Sequence, residues 1–208
     1  METLEAIRNA AKTIILEYPH GEDGRITSAV KEKEYLAKLK AALGKQFNFE
    51  IPKKRAWYDF KVDGIHINLK ITDGGGDNAF NKSALVFTWG GVIPSKAPGN
   101  MNNMLSILKA SPRLEQRDPL KEYHYLVVHK KTGTVLLKSI VDIHTYKVNC
   151  AAGNVMQINW NSEFKHAEHT SNNRGAKMVE LVKVVQTACR KQVANMAEFA
   201  AYDIDSLM

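Results

Sequence analysis

The sequence predicts an α/β fold in which a mixed central sheet is flanked by helices, and three observations carry that reading. Two N-terminal segments and one long C-terminal segment space their apolar residues three and four apart, as amphipathic helices do. Between them lie strand-like runs near positions 60, 67, 85, 125, 137 and 157. Trp57 to Ile71 reads WYDFKVDGIHINLKI, two such runs joined by Asp63-Gly64, a dipeptide suited to the positive φ angles of a type I′ turn.

Residues 3 to 18 carry Leu4, Ile7, Ala11, Ile14, Ile15 and Tyr18 at helical spacing, and Pro19 to Gly24 ends that helix. A second helix runs from Ile26 to Leu43, with Thr27 or Ser28 as its cap and Ala29, Leu36, Leu39 and Leu43 as its apolar stripe. On this helix Glu32 lies about 40° from Leu36, on the stripe, and Glu34 about 160° away, toward solvent. An acid on a buried stripe costs free energy unless a cation or donors compensate it. The competing reading is a surface Glu paired with a neighbouring Lys. After the short run Gln46 to Ile51, the basic triplet Lys53, Lys54 and Arg55 is either a phosphate contact or a solvated edge.

With Asp63 and Gly64 as the loop, residues pair outward from the turn: Val62 with Ile65, Lys61 with His66, Phe60 with Ile67, Asp59 with Asn68. Alternation then puts Ile65, Ile67, Leu69 and Ile71 on one side with Phe60 and Val62. His66, Asn68 and Lys70 share the other with Asp59 and Lys61. Asp59, Asn68 and Lys70 thus converge on one polar face, which any half-buried hairpin with a wet side also presents.

Thr72 to Ser83, TDGGGDNAFNKS, reads as a mobile loop, because three consecutive glycines hold neither strand nor helix. Its Asn78, Asn81 and Lys82 are candidates for contacts with base edges and phosphate, unless the loop is a plain connection. Ala84 to Trp89 reads as a strand, Met101 to Leu108 as a short helix and Ser111 to Leu120 as a polar connection. Tyr123 to His129 and Thr134 to Ile143 form a second hairpin around Lys131-Thr132-Gly133, and Asn154 to Trp160 is a further strand. The polar stretch Asn161 to Gly175 then leads into a helix over Ala176 to Ala200 that buries Met178, Leu181, Val182, Val185, Cys189 and Met196. Asn172, Asn173 and Arg174 stand at its N-terminus, where backbone N–H groups favour a phosphate.

The 208 residues, 44% hydrophobic and without a long linker, read as one domain spanning 1–208. No apolar run reaches the length of a membrane span and the first residues lack a signal-sequence pattern, which points to a cytoplasmic protein without membrane contact. Cys150 and Cys189 have no ligand-spaced partners and read as reduced packing residues. The seven histidines include no HExxH set, and Gly74 to Gly76 lack the Lys-Ser/Thr of a nucleotide-binding loop, so no nucleotide cofactor is expected. Lysine and arginine number 29 against 22 acids, net +7, a balance that favours a polyanionic partner through counterion release.

An acidic residue, a turn, and an apolar strand ending in x-Leu-Lys resembles the active-site hairpin of the PD-(D/E)XK nuclease superfamily, which includes most type II restriction endonucleases. The matching residues are Tyr58-Asp59 and Asn68-Leu69-Lys70, with Tyr58 in place of Pro and Asn68 in place of the second acid. The later run LVFTWGG, Leu85 to Gly91, with the Asn-rich loop after it, is similar to EcoRV-like restriction enzymes. The resemblance implies a restriction-endonuclease-like sheet and Mg²⁺-dependent, sequence-specific hydrolysis of double-stranded DNA that leaves 5′-phosphates. It implies a prokaryotic homodimer, since two-fold symmetry of the protein matches a palindromic site. Asp59, Asn68 and the Leu69 carbonyl would hold the metal, and Lys70 would orient and help deprotonate the attacking water. Asn offers Mg²⁺ a neutral oxygen where relatives offer a carboxylate, so Glu32 is the candidate for the missing charge. Two alternatives remain open: a structure-directed nuclease of the same superfamily, such as a junction resolvase or repair nuclease, and a catalytically inactive DNA-binding module.

Overall fold

Asp63 and Gly64 take φ angles of 49° and 83°, and the strands they join pair in the expected register: Val62 with Ile65, Lys61 with His66, Phe60 with Ile67. The structure, a computed structural model, describes residues 2–16, 24–53, 56–78, 81–91, 93, 104, 106, 109–110, 121–148, 156–166 and 173–200. Helices α1 (Glu2–Lys12) and α2 (Gly24–Leu43) precede a meander of β1 (Phe49–Glu50), β2 (Phe60–Val62) and β3 (Ile65–Thr72). Strand β4 (Gly76–Asn78) and helix α3 (Lys82–Gly90) follow, then β5 (His124–His129) and β6 (Val135–Ser139). The chain continues through a 3-10 turn (Ile140–Asp142), β7 (Tyr146–Val148), β8 (Met156–Asn159), α4 (Trp160–Phe164) and α5 (Arg174–Ala200).

The main sheet has the order β1-β2-β3-β5-β6, and β4-β8-β7 form a second, antiparallel sheet. Within the main sheet only β3 and β5 run parallel, because a parallel neighbour requires the chain to cross over a face before returning. The crossover carries α3, whose Ala84, Leu85, Val86 and Trp89 pack with Tyr123, Tyr125 and Val127 and with Met178, Leu181 and Val185 of α5. The opposite face carries Ile65, Ile67, Leu69, Leu126 and Val128, covered by Ile7 and Ala11 of α1 and Tyr35, Leu36 and Leu39 of α2. The α/β class and mixed sheet follow from this layering.

Several expected elements differ. Ala84 to Trp89 belongs to helix α3, not to a strand. Every residue from Ser83 to Gly90 is buried, and an element apolar on all sides shows no period by which helix and strand can be told apart. Its ends carry the deciding signals: Asn81 caps the first turn by accepting from the Ala84 N–H at 3.1 Å, and Gly91, at φ 63°, donates to the Phe87 carbonyl. The expected mobile loop Thr72 to Ser83 contains β4, paired with β8. Gly74 there has φ +96° and would place a Cβ 1.8 Å from Asn161 Oδ1, so its backbone closes on Asn161, whose N–H it accepts at 2.8 Å.

Helix α1 stops at Lys12, short of Tyr18, and leaves Ile15 80% exposed. The second strand of the 123–143 hairpin ends at Ser139, which caps the 3-10 turn. Trp160 opens α4 instead of closing β8, with Asn159 as its cap, so part of the polar stretch after it is helical. On α5, Met178, Leu181, Val185 and Ala188 are buried, Val182 and Cys189 are partly buried, and Met196 is 65% exposed because the last turns lie past the packed face. Cys189 is a free thiol. Of the expected helix at Met101 to Leu108 only Met104 and Ser106 are described, both helical. Lys54, Arg55, Cys150, Ser111 to Leu120 and Asn172 lie outside the described residues.

Buried ion pairs join the sheets to the helices. Lys138 on β6 donates to Glu163 of α4 at 3.0 Å, and Glu163 Oε1 accepts the backbone N–H groups of His144 and Thr145. Arg174 binds Glu122 and both oxygens of Asp142, while Ser139 donates to Glu122. Two buried imidazoles, His66 and His124, are pushed down to about 4, chiefly by burial. The unfolded chain protonates near about 6.5, so it binds more protons than the fold between those values. This stability is present above that pH and is lost as pH falls toward 4. The unfolding midpoint should therefore drop on acidification across that window, and a His66→Phe/His124→Gln variant should show a flatter profile in a thermal melt series. Parallel profiles would contradict the assignment.

Candidate active site

Strand β2 begins only at Phe60, whereas β3 runs on to Thr72, so the β3 edge beyond Ile67 faces the irregular segment Trp57 to Asp59. Asp59 is anchored along that edge. Its N–H donates to the Ile67 carbonyl at 3.0 Å, and its Oδ2 accepts from Asn68 Nδ2 at 2.7 Å and from the Leu69 N–H at 2.8 Å. The N–H and C=O of a strand residue share one edge, so the Leu69 carbonyl also points toward Asp59. Asn68 Oδ1 is buried with no hydrogen-bond partner, an arrangement that costs free energy unless something electropositive meets it.

Glu32 joins this group from α2. Burial raises its carboxyl pKa, the Asp59 charge raises it further, and Lys70 opposes both. Burial likewise raises Asp59, against the Leu69 N–H and the Lys70 charge. Two carboxylates that repel each other beside one ammonium are therefore within electrostatic reach. Glu34 is spent differently: ion pairs at 2.9 Å to Lys31 and to Lys38 hold its carboxyl below the ordinary range. The helical phase read from the sequence separates the two glutamates in this way.

A framework that the sequence did not reveal holds the segment before Asp59. The Trp57 carbonyl accepts from Asn81 Nδ2 at 2.8 Å and from the Tyr123 hydroxyl at 3.0 Å. The Trp57 ring stacks on His66 with centroids 4.7 Å apart, and Tyr58 and Phe87 complete the cluster. His66 is consequently buried, although it sits on the face expected to be wet. Tyr123 is buried close enough to Asp59 for the carboxylate charge to add to the upward shift of its phenol, which burial dominates. The available signal was the pair Trp57-Tyr58 directly before the acid, too large and flat to leave in solvent.

The described residues among those expected to meet DNA are spread over the fold, with Asn81 beside this site. Asn78 lies in β4 opposite Gln157. Asn81 uses both ends of its amide inside the fold, one on the α3 cap and one on Trp57. Lys82 is the first residue of α3 and partly buried. Asn173 caps α5 by accepting from the Ala176 N–H at 3.0 Å, and the Arg174 guanidinium is engaged by Glu122 and Asp142. For Asn81, Asn173 and Arg174 one cause holds: Asn and Arg that look solvent-facing in a polar stretch are residues that satisfy helix ends and buried acids.

Among the described residues no three His, Cys, Asp or Glu side chains form a metal cluster. The oxygens of Asp59, the Asn68 amide and the Leu69 carbonyl, with Glu32 in electrostatic reach of Asp59, are the hard donors Mg²⁺ prefers, and the unpartnered Asn68 Oδ1 fits that requirement. Compared with protein-family models, curated proteins and solved structures, the chain matches none.

Proposed function

We propose that the chain is a Mg²⁺-dependent nuclease that hydrolyses double-stranded DNA in the manner of a type II restriction endonuclease. The supporting observation is Asp59 bound to Asn68 and to the Leu69 N–H, within electrostatic reach of Glu32 and Lys70, with the amide oxygen of Asn68 buried and unpaired. Asp59, Asn68, Leu69 and Glu32 would hold Mg²⁺, which when bound supplies positive charge against the negative charge that develops on the scissile phosphate. Lys70 orients the water whose oxygen attacks phosphorus as the bond to the 3′ oxygen breaks, leaving a 5′-phosphate and a 3′-hydroxyl. Asn81 and Tyr123, through the Trp57 carbonyl, keep Asp59 on the β3 edge. The restriction-endonuclease-like fold and action as a two-fold dimer on a palindromic site belong to this same reading.

The deciding experiment incubates the chain with linear and branched duplexes, with Mg²⁺ or with chelator. Mg²⁺-dependent cuts in linear duplex at one sequence support the reading. Cuts confined to branched substrates favour a junction resolvase or repair nuclease, and binding without cutting at any Mg²⁺ concentration favours an inactive DNA-binding module. A second measurement needs no substrate. Both carboxyls have raised pKa values, so protons and Mg²⁺ compete for them. Mg²⁺ should raise the unfolding midpoint more at pH 8 than at pH 5.5, and Asp59→Asn should remove the increment. An increment equal at both pH values, or kept in Asp59→Asn, places the metal elsewhere.

A further inference from the structure

Away from this site, one cleft of about 370 Å³ lies between the end of α1 and the β5–β6 turn. Its walls carry Lys12, Lys130 and Lys131 with Thr132 and Ile15, and no carboxylate lines it among the described residues. Lys12 and Lys131 are exposed, and among the described residues neither lies within ion-pair distance of an acid. Lys130 is 3.8 Å from Asp73. The turn bearing these lysines is built, not loose. His129 Nδ1 accepts the N–H groups of Lys131 and Thr132 at 3.3 Å each, and Gly133, at φ 66°, donates to the His129 carbonyl at 2.9 Å.

Position gives the cleft its meaning. The Lys130 N–H donates to the Thr72 carbonyl at 2.9 Å, so the turn begins where β3 ends, two residues past Lys70. From β3 to β5 is one strand spacing and from β5 to β6 a second, about 5–10 Å across the sheet. One strand of duplex carries a phosphate for each 3.4 Å of axis, roughly, so two or three phosphates fit within that reach. We propose that this cleft, at the same end of the sheet as Lys70 but on the α1 face, seats the phosphate backbone of the duplex as it runs on from the bond being cut, with Lys12 and Lys131 as its principal cations. The inference rests on the nuclease reading for its location and adds to it the path of the DNA. Lysines from two separate segments, exposed and spread along an open cleft, suit a run of phosphates better than a single small anion, which would need convergent donors.

The test is fluorescence anisotropy of a labelled linear duplex with the full chain in chelator, between about 50 and 200 mM salt. Lys12→Glu/Lys131→Glu should bind at least about tenfold more weakly than the unmodified chain. Lys12→Gln/Lys131→Gln should reduce the slope of log affinity against log salt by about two, with unchanged thermal melts in both. Lys147→Glu, an exposed change on β7 of the other sheet, should stay within about twofold. The proposal is overturned if the unmodified chain does not bind duplex, if the double variants bind as it does, or if Lys147→Glu costs as much. Binding is read without metal, so its outcome is separate from that of the cleavage assay. Loss of the slope without cleavage keeps the seat and removes the nuclease, and cleavage with an unaltered slope does the reverse.

Discussion

Lys70→Ala is expected to slow Mg²⁺-dependent duplex cleavage by about 100-fold to 10,000-fold, the span associated with a positioned acid–base group. The fold should survive the change. Lys70 is only partly buried, the strand pairing at this position is made by its backbone opposite Val127, and the neighbouring Leu69 and Ile71 carry the packing. The unfolding midpoint and duplex binding in chelator should therefore match the unmodified chain, while single-turnover cleavage falls. Because Lys70 also lowers the pKa of Glu32 and Asp59, its removal lets both carboxyls rise. The residual rate should accordingly need a higher pH. Retained cleavage at the original rate would remove the whole site assignment.

The second large effect concerns the carboxylate count. Glu32→Gln leaves Asp59 as the single charged donor, and the Mg²⁺ needed for half-maximal cleavage should rise about 10- to 100-fold. Asn68→Asp should move the other way. Asn68 Nδ2 now donates to Asp59 Oδ2 at 2.7 Å, so an Asp there sets two carboxylates against each other. Without metal that variant should melt at lower temperature, and with Mg²⁺ it should saturate at lower concentration. Glu34→Gln breaks only the surface pairs to Lys31 and Lys38, and should leave both the Mg²⁺ titration and the thermal melt in place. If Glu34→Gln instead shifts the titration, the charge at the metal comes from the other side of α2.

The hairpin was legible because its information is local: a two-residue turn sets the register, and register sets which side chains share a face. The same holds for the phase of Glu32 against Glu34, which needs only the helical repeat. What could not be read was set by partners far along the chain. Ser83 to Gly90 carries no polar side to betray a helix, and His66 looks solvent-facing until Trp57 and Phe87 close over it. Tyr123 reaches the segment before Asp59 only because β5 pairs with β3. Asn81, Asn173 and Arg174 read as a DNA surface in the sequence because composition gives no way to distinguish an exposed amide or guanidinium from one used inside.

The parallel pairing of β3 with β5 carries a consequence for how the molecule assembles. Asp59, Asn68, Leu69 and Lys70 lie on one short meander whose contacts are close in sequence, whereas Ile67 meets His124 only after a long excursion through α3. Closing such a loop costs chain entropy before any contact repays it, so local pairs form quickly and distant ones late. The hairpin bearing the candidate donors should thus be in register early in refolding, without the Tyr123 hydroxyl that steadies the segment before Asp59. Pulse-labelling exchange would register this as protection of the Val62 and Ile65 amides before that of Val128, whose N–H lies on the β3 edge of β5, and simultaneous protection would show one concerted step. Early in its life each chain would carry the parts of a metal site before it carries the brace.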